Sequence, residues 1–256
     1  MAWNAATYLN FADHRTRPAY ELIVRIPLDA PQVIYDLGCG PGNSTGALAE
    51  SWPKAKLIGV DSSREMLAAA RESGPKNVEW QEADLADWSP AETPDLLYSN
   101  ATFQWIGGQE KLLPRLFASV KQGGAFAFQI PANHEGPPHT IIDEVLNEQG
   151  LAHRIKSAAL SRHVLPQADY FRMLSPLAST IDIWDTRYLQ VLKGEDPVLR
   201  WIKGTALVPI MAELDEREAN AFLELLQQRL AAHYPQESGG QTLFPFSRRF
   251  IVALRA

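Results

Sequence analysis

A glycine-rich stretch at residues 36–44 has the composition and the glycine spacing of a turn that binds a ligand through its backbone. It is Asp-Leu-Gly-Cys-Gly-Pro-Gly-Asn-Ser and follows an apolar run. Glycine permits positive φ angles and lacks the Cβ that would hold a ligand away from the backbone. Dinucleotide sites use G-x-G-x-x-G, with a helix N-terminus facing a pyrophosphate. Here Asn43 stands where the third glycine would be, and the carboxylate of Asp36 favours a cationic ligand group over a pyrophosphate.

Further polar residues follow the next three predicted strands. Asp61 ends the second strand, about 20 residues after the glycines, where an acid can accept hydrogen bonds from ribose hydroxyls. Asp84 follows the third strand and could accept a hydrogen bond from an adenine amino group, and Asn100 follows the fourth. S-adenosylmethionine carries an ammonium and a sulfonium and no phosphate. It therefore fits these acids better than a dinucleotide does.

The elements that must position these residues are strands and helices in alternation. This pattern is typical of a doubly wound, Rossmann-like, mostly parallel α/β sheet with helices on both faces, whose ligands lie at the carboxyl ends of the strands. The first five strands are predicted at 33–37, 56–60, 78–82, 95–99 and 125–130, and helices at 44–51, after Ser62 or Ser63, and at 112–120.

The pattern changes after residue 131. Four prolines divide 132–178 into short helical pieces, and 197–233 is mostly helical. Strands at 180–188 and 243–254 bring the predicted sheet to seven.

No linker separates a second domain, so we predict a single domain over 1–256. Its cofactor-binding core spans about 30–131, and a helical lid is formed by about 132–178 and 190–242. Near the N-terminus we predict a short helix at 3–13 and a second one that begins at Pro18.

Composition excludes several classes of protein. The 256 residues carry a net charge of −6, which argues against a nucleic-acid binder, and no apolar run is long enough to cross a bilayer. The single cysteine, Cys39, excludes an intrachain disulfide framework and a multi-cysteine zinc site. We expect no metal, no nucleic-acid or membrane partner, and a cytoplasmic location. Cys39 is interpreted as a small residue in a tight turn rather than a reactive thiol.

The motifs together resemble a known family. DLGCGPGNS, the acid of GVDSS and the EADL after the third strand are similar to class I S-adenosylmethionine-dependent methyltransferases over about residues 30–131. Residues 3–18, 100–105 and 201–207 resemble the trans-aconitate methyltransferases of that class, which extends the likeness to nearly the whole chain. The resemblance implies an enzyme that transfers the methyl group of S-adenosylmethionine to a carboxylate of trans-aconitate, a small tricarboxylate. Its products would be a monomethyl ester and S-adenosylhomocysteine.

The resemblance and the positions at the predicted sheet edge together suggest site residues. The expected cofactor-binding residues are Tyr8, Arg15, Asp36, Gly38, Gly40, Asn43, Asp61, Ser62, Met66, Asp84, Leu85 and Asn100. The expected substrate-binding residues are His139, Arg162, Trp201 and Lys203.

A carboxylate acceptor sets the chemistry that we expect. Because its reference pKa is about 4, it is ionised at neutral pH and needs no general base. We therefore expect no catalytic proton-transfer residue, and positioning by Phe103, Gln104 and Trp105. Cations near the substrate must be local, because the whole protein is negative. Adjacent Arg248 and Arg249 on a strand point to opposite faces, so at most one of them faces the pocket.

Three alternatives remain open from the residues. They are a methyltransferase for another small acid, a phenol or an amine, a nicotinamide-dependent oxidoreductase, and a binding module without catalysis. A phenol or amine acceptor would need a base with a shifted pKa. The sequence leaves the oligomeric state and the methylated carboxylate undecided.

Overall fold

A computed structural model of the protein describes residues 12–155 and 163–256, with side chains from Thr16 onwards. Seven strands form one sheet in the order β3-β2-β1-β4-β5-β7-β6. β1 to β5 are parallel, and β7 runs antiparallel to both β5 and β6. The strands are β1 (Val33–Leu37), β2 (Lys56–Asp61), β3 (Val78–Glu82), β4 (Leu96–Asn100), β5 (Ala125–Pro131), β6 (Ala178–Lys193) and β7 (Gln241–Arg255). The predicted doubly wound α/β class is confirmed.

Helices follow β1, β2, β4 and β5, whereas β3 leads to β4 without a helix between them. The helices are α1 (Ala12–Ile23), α2 (Asn43–Ser51), α3 (Arg64–Ser73), α4 (Gln109–Ala118), α5 (Pro137–Glu148), α6 (Gln167–Leu174), α7 (Pro197–Lys203), α8 (Val208–Met211) and α9 (Glu216–His233). Short 3₁₀ turns occupy Phe103–Trp105 and Ser175–Leu177. No helix in the described ranges is long and apolar enough to cross a membrane.

The central strands of the sheet are buried on both faces, whereas the edge strand β3 has no buried residue. One face packs under α1 and α2 in a cluster that includes Leu22, Leu48 and Tyr98. The other packs under α4 and α6 with Phe117 and Tyr170. Burying both faces requires nearly continuous apolar strands, and β5 (AFAFQIP) is such a strand, with its first six residues buried.

Two proline predictions need correction. α1 begins at Ala12 and contains Pro18, whereas the sequence predicted a helix starting at that proline. The loss of one backbone hydrogen bond is tolerated there because the next turns bury Ala19 and Leu22. The prolines at 137 and 138 begin the twelve-residue helix α5 instead of breaking the segment, since a proline in the first turn removes only an unpaired N–H.

Other boundaries are displaced. α4 begins three residues before the predicted start, and β6 and β7 extend beyond the predicted 180–188 and 243–254. The predicted helix at 3–13 lies mostly outside the described residues.

A third apolar cluster joins helices that are distant in sequence. α5 packs against α9, and Trp201 of α7 contacts Phe244 and Phe246 of β7. By contrast, Tyr170 and Leu174 of α6 belong to the cluster on the sheet. The predicted lid segment 132–178 is therefore divided between the third cluster and the sheet.

Candidate active site

The glycine turn joins β1 to α2 and is fastened to the end of β2. Gly38 has a φ of 71°, and a Cβ there would lie 2.1 Å from Thr102 Oγ1, so this position requires glycine. The Gly38 amide donates to the Val60 carbonyl at 2.7 Å. Gly40 has a φ of 54°, and a Cβ on it would meet no atom within 4 Å. These contacts leave room for a ligand beside the turn.

Asp36 lies behind the turn, on β1, and is 1% exposed. Its Oδ2 accepts hydrogen bonds from Ser44 Oγ at 2.7 Å and Thr45 Oγ1 at 2.6 Å. Its Oδ1 is buried and has no hydrogen-bond partner in the described part of the chain. Burial raises the pKa of Asp36 to about 6. The hydrogen bonds from the two hydroxyls lower this pKa, and repulsion from Asp61 raises it further. A buried, half-satisfied carboxylate favours a cation nearby.

Asp61 stands at the end of β2, on the wall of a cavity of about 600 Å³. Its Oδ2 accepts from the Gly40 amide at 2.9 Å, and its Oδ1 accepts from the Ser63 amide at 2.8 Å. Burial raises the pKa of Asp61, and hydrogen bonds from backbone amides oppose that shift. A carboxylate oxygen can accept more than one hydrogen bond, so the fixed carboxylate suits a pair of ribose hydroxyls.

The cavity brings together most of the residues that the sequence singled out. Ser62 and Met66 follow Asp61 on its wall, and exposed Asp84 and buried Leu85 follow β3. The predicted residues that line the cavity are Gly38, Gly40, Asn43, Asp61, Ser62, Met66, Asp84, Leu85, Asn100, Gln104, Trp105, His139 and Trp201.

Three predicted residues do not line the cavity. Asp36 is one of them, because it is buried behind the glycine turn. Phe103 is fully buried and packs edge-on against Phe126 and Phe128, so it is a core residue and does not face the cavity as predicted. Lys203 is exposed and does not line the cavity, so nothing in the structure supports its predicted substrate contact. It ends α7 on the solvent side, while Trp201 of the same helix points inwards. Tyr8, Arg162 and the side chain of Arg15 lie outside the described residues.

Several cavity residues were not predicted as site residues. Thr102, His134, His163 and Phe246 line the wall, as does Arg248, which the sequence offered only as one member of an adjacent pair. Cys39 is buried and burial raises the pKa of its thiol, which agrees with a small turn residue rather than a nucleophile. No group of metal-ligating side chains is found within the described ranges.

The residues present fit S-adenosylmethionine. The unpartnered oxygen of Asp36 is suited to a cationic end, and the open position at Gly40 admits close approach to the backbone. Asp61 offers a ribose acceptor, and Met66 and Leu85 offer apolar surface for an adenine.

Comparisons with known proteins identify the family. A family model described as a methyltransferase domain matches residues 34–124. A trans-aconitate 2-methyltransferase from Paracidovorax citrulli is 44% identical over 257 residues, which cover 99% of this chain and 98% of that protein. The chain belongs to the trans-aconitate 2-methyltransferase family. A relative of the same name from Rhodopseudomonas palustris is 43% identical, with 99% of each chain covered. The protein is therefore an S-adenosylmethionine-dependent methyltransferase with a small-molecule substrate, and the oxidoreductase and non-enzymatic alternatives are excluded.

Solved structures show the same fold at low sequence identity. The YcgJ protein from Bacillus subtilis is 16% identical with a TM-score of 0.59, and the alignment covers 93% of this chain and 98% of that one. A Haemonchus contortus phosphoethanolamine N-methyltransferase in complex with S-adenosyl-L-methionine gives a TM-score of 0.57 at 14% identity, covering 93% of this chain and 52% of that one. These likenesses support the Rossmann-like fold and say nothing about the substrate of this chain.

Proposed function

We propose that the protein methylates a carboxylate of trans-aconitate to give a monomethyl ester. The observation that carries the proposal is the 44% identity to a named trans-aconitate 2-methyltransferase over nearly the full length of both chains. The cavity supports it, because its wall carries the carboxylates of Asp61 and Asp84, which follow β2 and β3, and also carries three histidines and Arg248. A cationic cofactor and an anionic acid would each find a complementary surface.

Positioning is the main task of the chain in this reaction. When bound, S-adenosylmethionine supplies a sulfonium methyl group; the substrate carboxylate oxygen takes the methyl, and the sulfur keeps the electron pair. No proton moves, so no residue is needed as a general base. Holding the reactants in line and away from water can supply about 7–11 kcal/mol of the barrier.

The positioning residues that we propose are Gln104 and Trp105, both on the cavity wall. The Gln104 Nε2 donates to the Ala101 carbonyl at 2.6 Å, which fixes the amide. Its Oε1 is buried and has no partner within the described ranges. Ala101 itself has a φ of 60°, so the chain leaves β4 in a strained conformation that turns this segment into the cavity.

The cofactor would be held along the carboxyl ends of β1 to β4. In our proposal Asp36, Gly38 and Gly40 form the methionine end, Asp61 binds the ribose, and Asp84 and Leu85 flank the adenine. Asn43, Ser62, Met66 and Asn100 complete the wall, and the N-terminal segment with Tyr8 and Arg15 covers the cofactor. His139 and Trp201 would contact the acid, as would Arg162.

We further propose one domain with a helical lid. α5, α7, α8 and α9 share an apolar cluster, and residues of α7 and α8 line the cavity. Hydrogen exchange with and without S-adenosylhomocysteine tests this, because a lid should gain protection in α7 and α8 while α4 stays unchanged. We place the reaction in the cytoplasm, without a nucleic-acid or membrane partner, which fractionation of cells can check.

The substrate assignment is tested by incubating the protein with S-adenosylmethionine and trans-aconitate. We expect an enzyme-dependent product that is heavier by one methylene and is hydrolysed by base. Phenols and amines of similar size serve as controls and should stay unmethylated. S-adenosylmethionine binding without any ester would refute trans-aconitate as the substrate.

A further inference from the structure

Arg248 lies on the cavity wall although it is 3% exposed. It is on β7, opposite Pro131, the last residue of β5, and therefore at the ligand edge of the sheet. Arg249, the next residue, binds both oxygens of Asp185 at 2.8 and 2.9 Å. Successive residues of a strand face opposite sides, so the strand directs Arg248 alone of this pair to the cavity.

The buried side-chain amide of Gln129 holds the Arg248 guanidinium. Arg248 Nη1 donates to Gln129 Oε1 at 3.1 Å, and Gln129 Nε2 donates to Asn100 Oδ1. The Gln129 amide is thus fixed with its oxygen towards Arg248 and its nitrogen towards Asn100. Gln129 is fully buried in an apolar strand, where an amide without hydrogen-bond partners would be destabilising. Its bonds to Arg248 and Asn100 therefore account for its presence there. The Arg248 Cζ also lies 5.0 Å from the centre of the Phe246 ring.

Charge distinguishes this part of the wall. Of the lysines and arginines in the described ranges, Arg248 is the only one that lines the cavity. The protein carries a net charge of −6, so a polyanionic ligand must be bound by local cations. A guanidinium binds a carboxylate through two parallel hydrogen bonds when its plane is held, which an ammonium cannot do.

We propose that Arg248 binds one carboxylate of the acid substrate, and that Gln129 is a positioning residue that orients the guanidinium. The assignment rests on the proposed function and deepens it, because it selects polycarboxylic acids over neutral acceptors. The bound carboxylate is a second one, distinct from that which receives the methyl group. A carboxylate held by two hydrogen bonds to a guanidinium is a weaker nucleophile and is turned away from the methyl donor.

The first test compares Arg248→Gln and Arg248→Lys with wild type. The matched control is Arg187→Gln, which removes an exposed arginine from the adjacent strand β6. Titration of trans-aconitate into enzyme saturated with S-adenosylhomocysteine should show affinity lower by about 100-fold for Arg248→Gln and by about 10-fold for Arg248→Lys. The affinity for S-adenosylhomocysteine and the melting temperature check that each variant is folded. Unchanged trans-aconitate affinity in a folded Arg248→Gln would overturn the proposal.

The second test removes the carboxylates of the ligand in turn. Methylfumarate, methylenesuccinate and glutaconate each lack a different one of the three carboxylates of trans-aconitate. Their inhibition constants are measured against wild type and Arg248→Lys, which keeps the charge and protects against loss of the fold. One of the three acids should bind both enzymes within about 2-fold, because it lacks the group that Arg248 holds. Equal weakening for all three would indicate a merely structural or long-range role and would contradict the proposal.

The role of Arg248 and the identity of the substrate can be refuted independently of each other. Wild-type enzyme that binds S-adenosylmethionine but makes no ester refutes trans-aconitate as the substrate. Wild-type enzyme that makes the ester, with Arg248 variants that keep their affinity for the acid, refutes only the role of Arg248.

Discussion

The buried carboxylate of Asp36 should make the ligand-free protein less stable as the pH rises. Its pKa is about 6 in the folded protein and 3.8 as the ordinary value, so folding favours the protonated form. The stabilising contribution is complete below pH 3.8 and is lost as the pH rises through about 6. Once Asp36 is fully ionised, the free energy of unfolding is lower by about 3 kcal/mol, at 1.36 kcal/mol per pKa unit.

Asp36→Asn removes this titration and supplies the test. An asparagine keeps an acceptor for the hydroxyls of Ser44 and Thr45, although its amino group needs a new partner. The absolute stability of the variant therefore depends on two opposing effects, whereas its pH dependence does not. From pH 5 to pH 8 the free energy of unfolding of the wild type should fall by about 1.4 kcal/mol more than that of Asp36→Asn. Asp61 titrates in both proteins, so its contribution largely cancels.

Urea denaturation at pH 5, 6, 7 and 8 measures the difference. Asp87→Asn, which alters an exposed acid that does not line the cavity, is the matched control and should follow the wild type at every pH. The same Asp36→Asn variant should bind S-adenosylmethionine about 10- to 100-fold more weakly at pH 8, because a buried charge partner is lost. A stability difference between wild type and Asp36→Asn that does not change with pH would show that burial does not raise the pKa of Asp36.

Three further predictions concern the turn, the ribose site and the core. Gly38→Ala should lower the free energy of unfolding by more than about 2 kcal/mol, because the new Cβ would clash with Thr102 and the residue has a positive φ. Gly40→Ala should lower it by only about 1 kcal/mol, because its Cβ would meet no other atom. Thermal melts in which Gly40→Ala is the less stable variant would contradict this geometry. Asp61→Asn should weaken S-adenosylhomocysteine binding by about 10-fold in calorimetry, and undiminished affinity would exclude the ribose role. Phe103→Leu should lower the melting temperature and leave the KM for trans-aconitate within about 2-fold, since Phe103 is a core residue; a KM change without destabilisation would restore the predicted ligand contact.

The sequence was most informative where local chemistry decides the structure. The glycine turn needs positive φ at Gly38 and Gly40, and only glycine adopts it at little cost, so spacing alone located the turn. Asp61 was predictable because parallel strands end at the same edge of a sheet, so the last residue of β2 lies at the edge where ligands bind. The central strands β1 and β5 were predicted from apolar runs because strands covered on both faces have few polar positions, whereas β6 was predicted from its alternation of apolar and polar residues.

The remainder depended on contacts between segments far apart in sequence. Phe103 and Gln104 are neighbours after β4, yet one enters the core and the other the cavity, because the 3₁₀ turn there rotates successive side chains apart. Lys203 and Trp201 share α7, and its orientation is set by packing against Phe244 and Phe246. Gln129 gave a detectable signal, as a lone polar residue in the apolar run of β5, but its partner Arg248 is 119 positions away.

In the proposed reaction, a carboxylate oxygen of the substrate receives the methyl group. The most direct measurement uses S-adenosylmethionine labelled with ¹³C in its methyl group and unlabelled trans-aconitate, with the product followed by NMR. We expect one labelled ester methoxy signal per turnover, formed together with S-adenosylhomocysteine and lost on treatment with base. Label in a carbon-bound or nitrogen-bound methyl group, or label that remains on the donor while the protein binds it, would exclude transfer to a carboxylate.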